Sequence, residues 1–302
     1  MFYPCSSVAK KSLKKLTEIV APDFDLAMTL DSGQVFHWEK IGNRFYGTIG
    51  NHAVWLEQHG RILKVRDGKS SALSGLIENY FALDHPLAEI CDSFPDDPIM
   101  NVARSYCHGL RIMRQPKWEC LAMFICSSMK QVAHIRQISK KIRERFGERR
   151  KIEHHELFTF PSPGRIAQSS EKELRECALG YRAKNLLGTA QLIDSGVVNL
   201  EEESTSSDDD LLGKLCQLPG VGAKVANCVM LFAYERLRAF PIDVWIERVL
   251  RAQYFPRKRN MTAGRLRAFA ETHFGEHGGY AQQYLFHHAR MAARANLSAP
   301  PR

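Results

Sequence analysis

The spacing of apolar residues changes period once along this chain, and that change limits the folds open to it. Between about Ala21 and Asp67 apolar side chains alternate or come in short runs, Phe36–Trp38, Arg44–Ile49, Ala53–Leu56 and Arg61–Arg66, separated by Gly42-Asn43, Gly50-Asn51 and His59-Gly60. A period of two broken by such dipeptides predicts an antiparallel meander. After Lys69 the repeat lengthens to three or four residues (Leu73, Leu76, Ile77, Tyr80, Phe81), and no strand pattern recurs beyond about residue 97. The predicted class is α+β: an N-terminal antiparallel β-sheet domain with flanking helices over residues 1–97, then an all-helical body over residues 98–302. Asp96-Asp97-Pro98 marks the boundary.

The 302 residues suffice to bury a core of their own. Lys and Arg number 42 against 33 Asp and Glu, a net charge of +9 that favours an anionic partner. A membrane surface is disfavoured, because no strongly amphipathic basic helix carries an aromatic face. The eight cysteines form no C-x-x-C pair, so zinc-ribbon and iron–sulfur spacings are absent and a reducing compartment is expected. The first twenty residues carry Lys10, Lys11, Lys14 and Lys15 without an apolar run, which fits neither a signal peptide nor a membrane span and reads as a solvated end.

Within the body, Trp118–Cys126 is apolar nearly all round and predicts a buried helix. The next helix has its apolar stripe at Val132, Ile135, Ile138, Ile142 and Phe146, and its basic face (Lys130, Arg136, Lys140, Lys141, Arg143, Arg145) reads as solvated. Ser170 with Glu173 fits a capping box, and Tyr181 and Arg182 stand at a helix start. The acidic run 201–210 reads as a surface loop whose last aspartates favour the helix that follows. From about 211 to 234 the pattern is helix, Leu218-Pro219-Gly220-Val221-Gly222 hairpin, helix. Asp243 suits a helix N-cap, and further helices are expected near Leu266–His273 and Tyr280–Ala292.

Two positions carry chemistry. Gly220 and Gly222 let a phosphate approach the amides of Val221 to Lys224, a contact blind to sequence. Lys224 falls in the first turn of its helix, where the dipole disfavours a cation, so its placement argues for a role as a nucleophile. Such an amine must lose its proton, which burial or a nearby positive charge promotes. Asp243, held ionised by cap N–H groups, can stabilise the cationic sugar that forms as a glycosidic bond breaks.

The stretch from Leu218 to Asp243 resembles the helix-hairpin-helix and Gly-Pro-Asp signature of the DNA glycosylase superfamily, although Phe240-Pro241-Ile242-Asp243 lacks the glycine. Gly109–Gln115 with Glu119–Ser128, Leu179–Ala183 and Asp31–Trp38 are similar to 8-oxoguanine DNA glycosylases, in one order from about residue 24 to 290. That resemblance implies a bifunctional enzyme of base excision repair acting on double-stranded DNA that contains oxidised guanine. Lys224 would attack C1′ of a flipped nucleotide and form a Schiff base, with Asp243 supporting the transition state and β-elimination following. Gly33 would offer its carbonyl to the N7–H of 8-oxoguanine, Gln282 would read the Watson–Crick edge, and Phe286 and Cys228 would sandwich the base. Cys228, one turn from Lys224, would form an ammonium–thiolate pair with it. Tyr181 would wedge into the stack, and Arg182, Met129 and His134 would face the orphaned base. The family's better-known form has asparagine and arginine where this chain has Met129 and His134, and a histidine where it has Trp245 near the DNA backbone.

The resemblance implies a monomer that requires no cofactor, with a structural monovalent cation permitted on the hairpin carbonyls. The expected compartment is a bacterial cytoplasm, or a nucleus if the source is eukaryotic. A monofunctional glycosylase for alkylated bases, or a non-catalytic helix-hairpin-helix DNA-binding protein, remain the alternatives; Lys224 separates the first from the bifunctional reading, and base release separates the second.

Overall fold

The computed structural model describes residues 16–67, 73–257 and 261–298; the lysine pairs near the N-terminus lie outside them. Strands β1 (Thr17–Val20), β2 (Glu39–Ile41), β3 (Arg44–Ile49), β4 (His52–His59) and β5 (Ile62–Asp67) form an antiparallel sheet in the order β1-β5-β4-β3-β2. The β3–β4 turn carries Gly50 at φ 53°, a value that suits glycine. Alternation sends Val54, Leu56, Leu63 and Val65 inward against Ile77 and Phe81. The meander is therefore as expected, with two corrections at its start. Helix α1 (Leu26–Asp31), for which the alternating pattern gave no place, lies between β1 and β2 and ends just before Gly33; β1 precedes it and pairs with β5. Phe36–Trp38 is irregular rather than extended, because Trp38 folds over Gly47, where a Cβ would lie 2.5 Å from its ring.

The remaining helices are α2 (Leu73–Tyr80), α3 (Leu87–Asp92), α4 (Pro98–Tyr106), α5 (Lys117–Ser127), α6 (Val132–Phe146), α7 (Pro163–Ala167), α8 (Glu171–Glu176), α9 (Arg182–Asp194), α10 (Asp208–Cys216), α11 (Ala223–Ala233), α12 (Val244–Val249), α13 (Ala263–Phe274) and α14 (Gly278–Ser298). Helix α5 is buried from Glu119 to Ser127, and α9 and α11 pack on it at the centre of the main core. Ser170 and Glu173 make the expected reciprocal cap. The acidic run is more ordered than a loop. Glu202–Thr205 forms a 3₁₀ turn, Ser207 caps α10, and Asp208–Asp210 occupy that helix's first turn, where the dipole favours them.

The body is mostly helical rather than wholly so. A hairpin, β6 (Arg149–Ile152) and β7 (His155–Phe158), docks on the outer face of the sheet, where Ile152 and Leu157 meet Tyr46, Ala53 and Trp55. Arg44 and Arg66 lie 4.1 and 5.6 Å from the Trp55 ring, and Glu153 accepts from the Trp55 indole and from both arginines. This contact joins the sheet to the body. The basic face of α6 is also less solvated than expected: Arg143 is buried, bonded to Glu119, with His37 3.2 Å from the same carboxylate. Burial raises the Glu119 carboxyl and lowers His37 well below the usual imidazole value. Among the described residues no helix is long and apolar enough to cross a membrane.

Candidate active site

The hairpin between α10 and α11 is held from behind by α9. Gly220 adopts φ 78° with the Asn185 side chain where a Cβ would stand, and Thr189 donates to the Pro219 carbonyl at 3.2 Å. Val221 closes the turn by donating its N–H to Leu218, which leaves the amides from Gly222 onward for an anion. Gly222 is the N-cap of α11 and offers no side chain to those amides, so an external acceptor is the natural partner. The Leu218 and Pro219 carbonyls each accept one protein hydrogen bond, which leaves a lone pair on each for the monovalent cation expected there; such an ion would hold the turn only. Among the described residues no group of three or more His, Cys, Asp or Glu side chains is arranged to hold a metal.

Lys224 enters the core side of α11 half-buried, its amine 5.2 Å from the Phe124 ring centre. One turn on, Cys228 is 4% exposed. Burial pushes its thiol up to about 11, against the opposing pull of the Lys224 charge and hydrogen bond. Burial thus favours the thiol, while the Lys224 charge and hydrogen bond favour the ammonium–thiolate pair expected from the sequence. Asp243 caps α12 and accepts from Ile246 N at 2.8 Å. Burial raises its carboxyl too, over the opposing effects of the Ile246 N–H and the Lys224 charge. The cap N–H groups and the Lys224 charge both favour the ionised form, against burial. Trp245, the next residue but one, is half-buried under Arg248.

A second face lies where α1 meets α14. Gly33 has φ 90°, and a Cβ there would be 3.1 Å from both Phe286 Cε1 and Arg290 Nη1. The turn is strapped in place: Gln34 Nε2 donates to the Arg111 carbonyl at 2.8 Å, its Oε1 accepts from Met113 N at 2.8 Å, and Gln115 donates to the Gln34 carbonyl at 2.7 Å. Gln283 adds a bond to the Ser32 carbonyl at 2.9 Å. Gln282, one turn before Phe286, is 4% exposed, and its Oε1 has no partner. A buried acceptor without a protein donor is costly and can take a hydrogen bond from outside. Phe286, half-buried, rests against Gly33. Two open cavities, of about 720 and 320 Å³, lie elsewhere, against the β6–β7 hairpin, and neither is lined by Lys224 or Asp243.

A third group faces solvent. Tyr181 is 58% exposed and covers the Arg182 guanidinium at 4.3 Å. Arg182 is itself buried, donating from Nε to the Ser128 carbonyl at 2.7 Å. Met129 follows at φ 55° and is 87% exposed, and His134 is exposed. Val132 links this group to the second, because its Cγ2 lies 3.6 Å from a Cβ position on Gly33. Sequence reasoning missed Asp31, Gln283 and Arg290. The available signal was position: Asp31 stands two residues before Gly33, and Arg290 one turn after Phe286.

Comparison with known proteins places these features in a lineage. Residues 17–121 match the family described as 8-oxoguanine DNA glycosylase, N-terminal domain, and residues 122–272 match the HhH-GPD superfamily base excision DNA repair protein family. The chain is 30% identical over 281 residues to the N-glycosylase/DNA lyase OGG1 of Arabidopsis thaliana, covering 87% of this chain and 77% of that protein. It is 28% identical to a probable N-glycosylase/DNA lyase of Methanothermobacter thermautotrophicus, covering 89% and 95%. It superposes with a TM-score of 0.85 and 29% identity on Clostridium acetobutylicum 8-oxoguanine glycosylase/lyase in complex with double-stranded DNA containing cytosine opposite 8-oxoguanine, covering 89% and 93%. By these matches, across both parts of its length, the chain belongs to the HhH-GPD superfamily of base excision DNA repair proteins, among its 8-oxoguanine DNA glycosylases.

Proposed function

We propose that this protein extrudes 8-oxoguanine from duplex DNA, excises it through a Lys224 Schiff base and cleaves the strand by β-elimination. The observation that carries the reading is the amine in the first turn of α11, electrostatically coupled to a buried thiol and a half-buried carboxylate. The neutral Lys224 amine forms a bond to C1′ as the bond from C1′ to the base breaks, and the base departs with the electron pair and takes up a proton. Asp243 stabilises the positive charge that develops on the sugar. Opening of the sugar gives an imine at C1′ that acidifies the C2′ hydrogen; its loss expels the 3′ phosphate.

Recognition follows from the second face. Gly33 supplies an acceptor for the N7–H that guanine lacks, Gln282 brings its unpartnered oxygen to the Watson–Crick edge, and Phe286 and Cys228 take the two faces of the ring. The phosphate backbone sits on the amides from Gly222 onward, steered by the net charge of +9. Tyr181 fills the gap in the stack. The protein acts as a monomer, in the cytoplasm if bacterial and the nucleus if eukaryotic.

Borohydride treatment during reaction with an 8-oxoguanine duplex tests this. A covalent complex is expected with the parent protein and none with Lys224→Gln. Base release without trapping would favour a monofunctional glycosylase instead, and binding without base release a non-catalytic protein.

A further inference from the structure

Among the described residues five buried arginine nitrogens lack an acceptor, one each on Arg66, Arg143 and Arg236 and two on Arg290. Its side chain is 6% exposed. One nitrogen is well used: Nη2 donates to the Asp31 carbonyl, faces the Asp31 carboxylate at 3.6 Å and stands 3.2 Å from His287 Nδ1. Nε and Nη1 have no partner. Burial lowers this guanidinium to about 10, so it stays charged at neutral pH. A charged fork with idle donors inside a protein is unfavourable unless something else supplies the acceptor.

Position indicates what that acceptor is. Nη1 lies 3.1 Å from the place a Cβ on Gly33 would take, and Phe286 Cε1 lies at the same distance. The Phe286 ring is 5.7 Å from the guanidinium carbon. A base admitted beside Gly33 by a swing of this ring therefore comes within reach of Nη1 as well. Oxidised guanine carries a donor at N7 flanked by carbonyl oxygens at C6 and C8, so an acceptor with a donor beside it complements that edge. We propose that Arg290 is a further specificity-determining residue, whose free Nη1 donates to a carbonyl oxygen on the N7 edge of the extruded oxidised purine while Asp31 holds the guanidinium in place. The proposal rests on reading the Gly33–Phe286 face as the base pocket.

Equilibrium binding by Lys224→Gln protein, which holds substrate without turnover, tests it with duplexes carrying 8-oxoguanine, guanine, 8-oxoadenine or a tetrahydrofuran abasic site. Adding Arg290→Met is expected to weaken 8-oxoguanine binding by about tenfold or more, the loss typical of a charged hydrogen bond. Tetrahydrofuran binding, which presents no base, falls far less. 8-Oxoadenine keeps the C8 oxygen and replaces the C6 oxygen by an amine, so an equal loss on it assigns the contact to C8 and no loss assigns it to C6. A parallel loss on every duplex, or no loss on any, overturns the proposal. Should melting show Arg290→Met unfolded, Arg290→Lys keeps the charge without the fork; a smaller loss confined to base-bearing duplexes supports the proposal, and a uniform one or none overturns it. Failure of the parent to prefer 8-oxoguanine over guanine would instead sink the pocket reading, whatever Arg290 does.

Discussion

Asp243 serves two masters: it caps α12 and lies beside Lys224 in surroundings that raise its carboxyl. The sign matters. A carboxyl raised by folding is less content as a charge in the native state than in the unfolded one, so its ionisation at neutral pH works against stability. Asp243→Asn keeps a cap acceptor without the charge, and we expect its melting temperature to equal or exceed the parent's while base release falls by about a hundredfold or more. Asp243→Ala also loses the cap and is expected to cost about 1 kcal/mol in denaturant titration. The acid limb of single-turnover excision should lie above the ordinary aspartate value of 3.8. Lys224 and Asp243 were legible in the sequence because each sits at a helix start, where a local rule makes it conspicuous or apt. Arg290 was not. In His287-His288-Ala289-Arg290 it reads as the polar end of a helix, and only the fold brings Asp31 to it from the other end of the chain.

The β6–β7 hairpin was invisible to pattern reading for an equally physical reason. Arg149–Ile152 is mostly charged and His155–Phe158 half polar, and their inward set reduces to a few residues. Their attachment comes from the sheet, through the Trp55 ring and the arginines around it, none of which is near in sequence. Gly147 begins the hairpin under tight constraint: a Cβ there would lie 2.0 Å from the Thr159 carbonyl oxygen. Gly147→Ala is therefore expected to destabilise by about 1–3 kcal/mol, seen as a lower denaturation midpoint. Trp55→Ala should cost about 3–5 kcal/mol and loosen the hairpin first, which amide exchange at Arg149–Phe158 would report. By contrast α5 declared itself, because a helix apolar on every side has only the core to go to.

At the scale of the molecule, the proposed function requires three faces to act together on one duplex, and the solvent-facing one is the least suited to a fixed partner. Met129 offers no polar atom beyond its sulfur, and Arg182 is already committed to Ser128. We expect excision opposite cytosine, adenine, guanine and thymine to differ by less than about tenfold, since one missing hydrogen bond is worth about that much; a strong preference for cytosine would overturn this. Acid should act on the whole fold in two stages. His37 and His287 are buried neutral, the latter lowered to about 4 mainly by burial, so stability is complete above the ordinary value of 6.5 and is lost as pH falls towards 4. Asp84 and Glu235, held down to about 2 by Arg114 and His85, give way only below their ordinary values of 3.8 and 4.5. Melting temperature against pH should show both slopes. The contact between Phe286 and Gly33 bears on a different quantity, the time spent on each undamaged base. On the reading of this face as the base pocket, displacing the ring costs every visitor the same free energy before any atom is compared, so weak visitors leave at once. A search through a genome, where nearly every base is sound, gains speed from that reluctance.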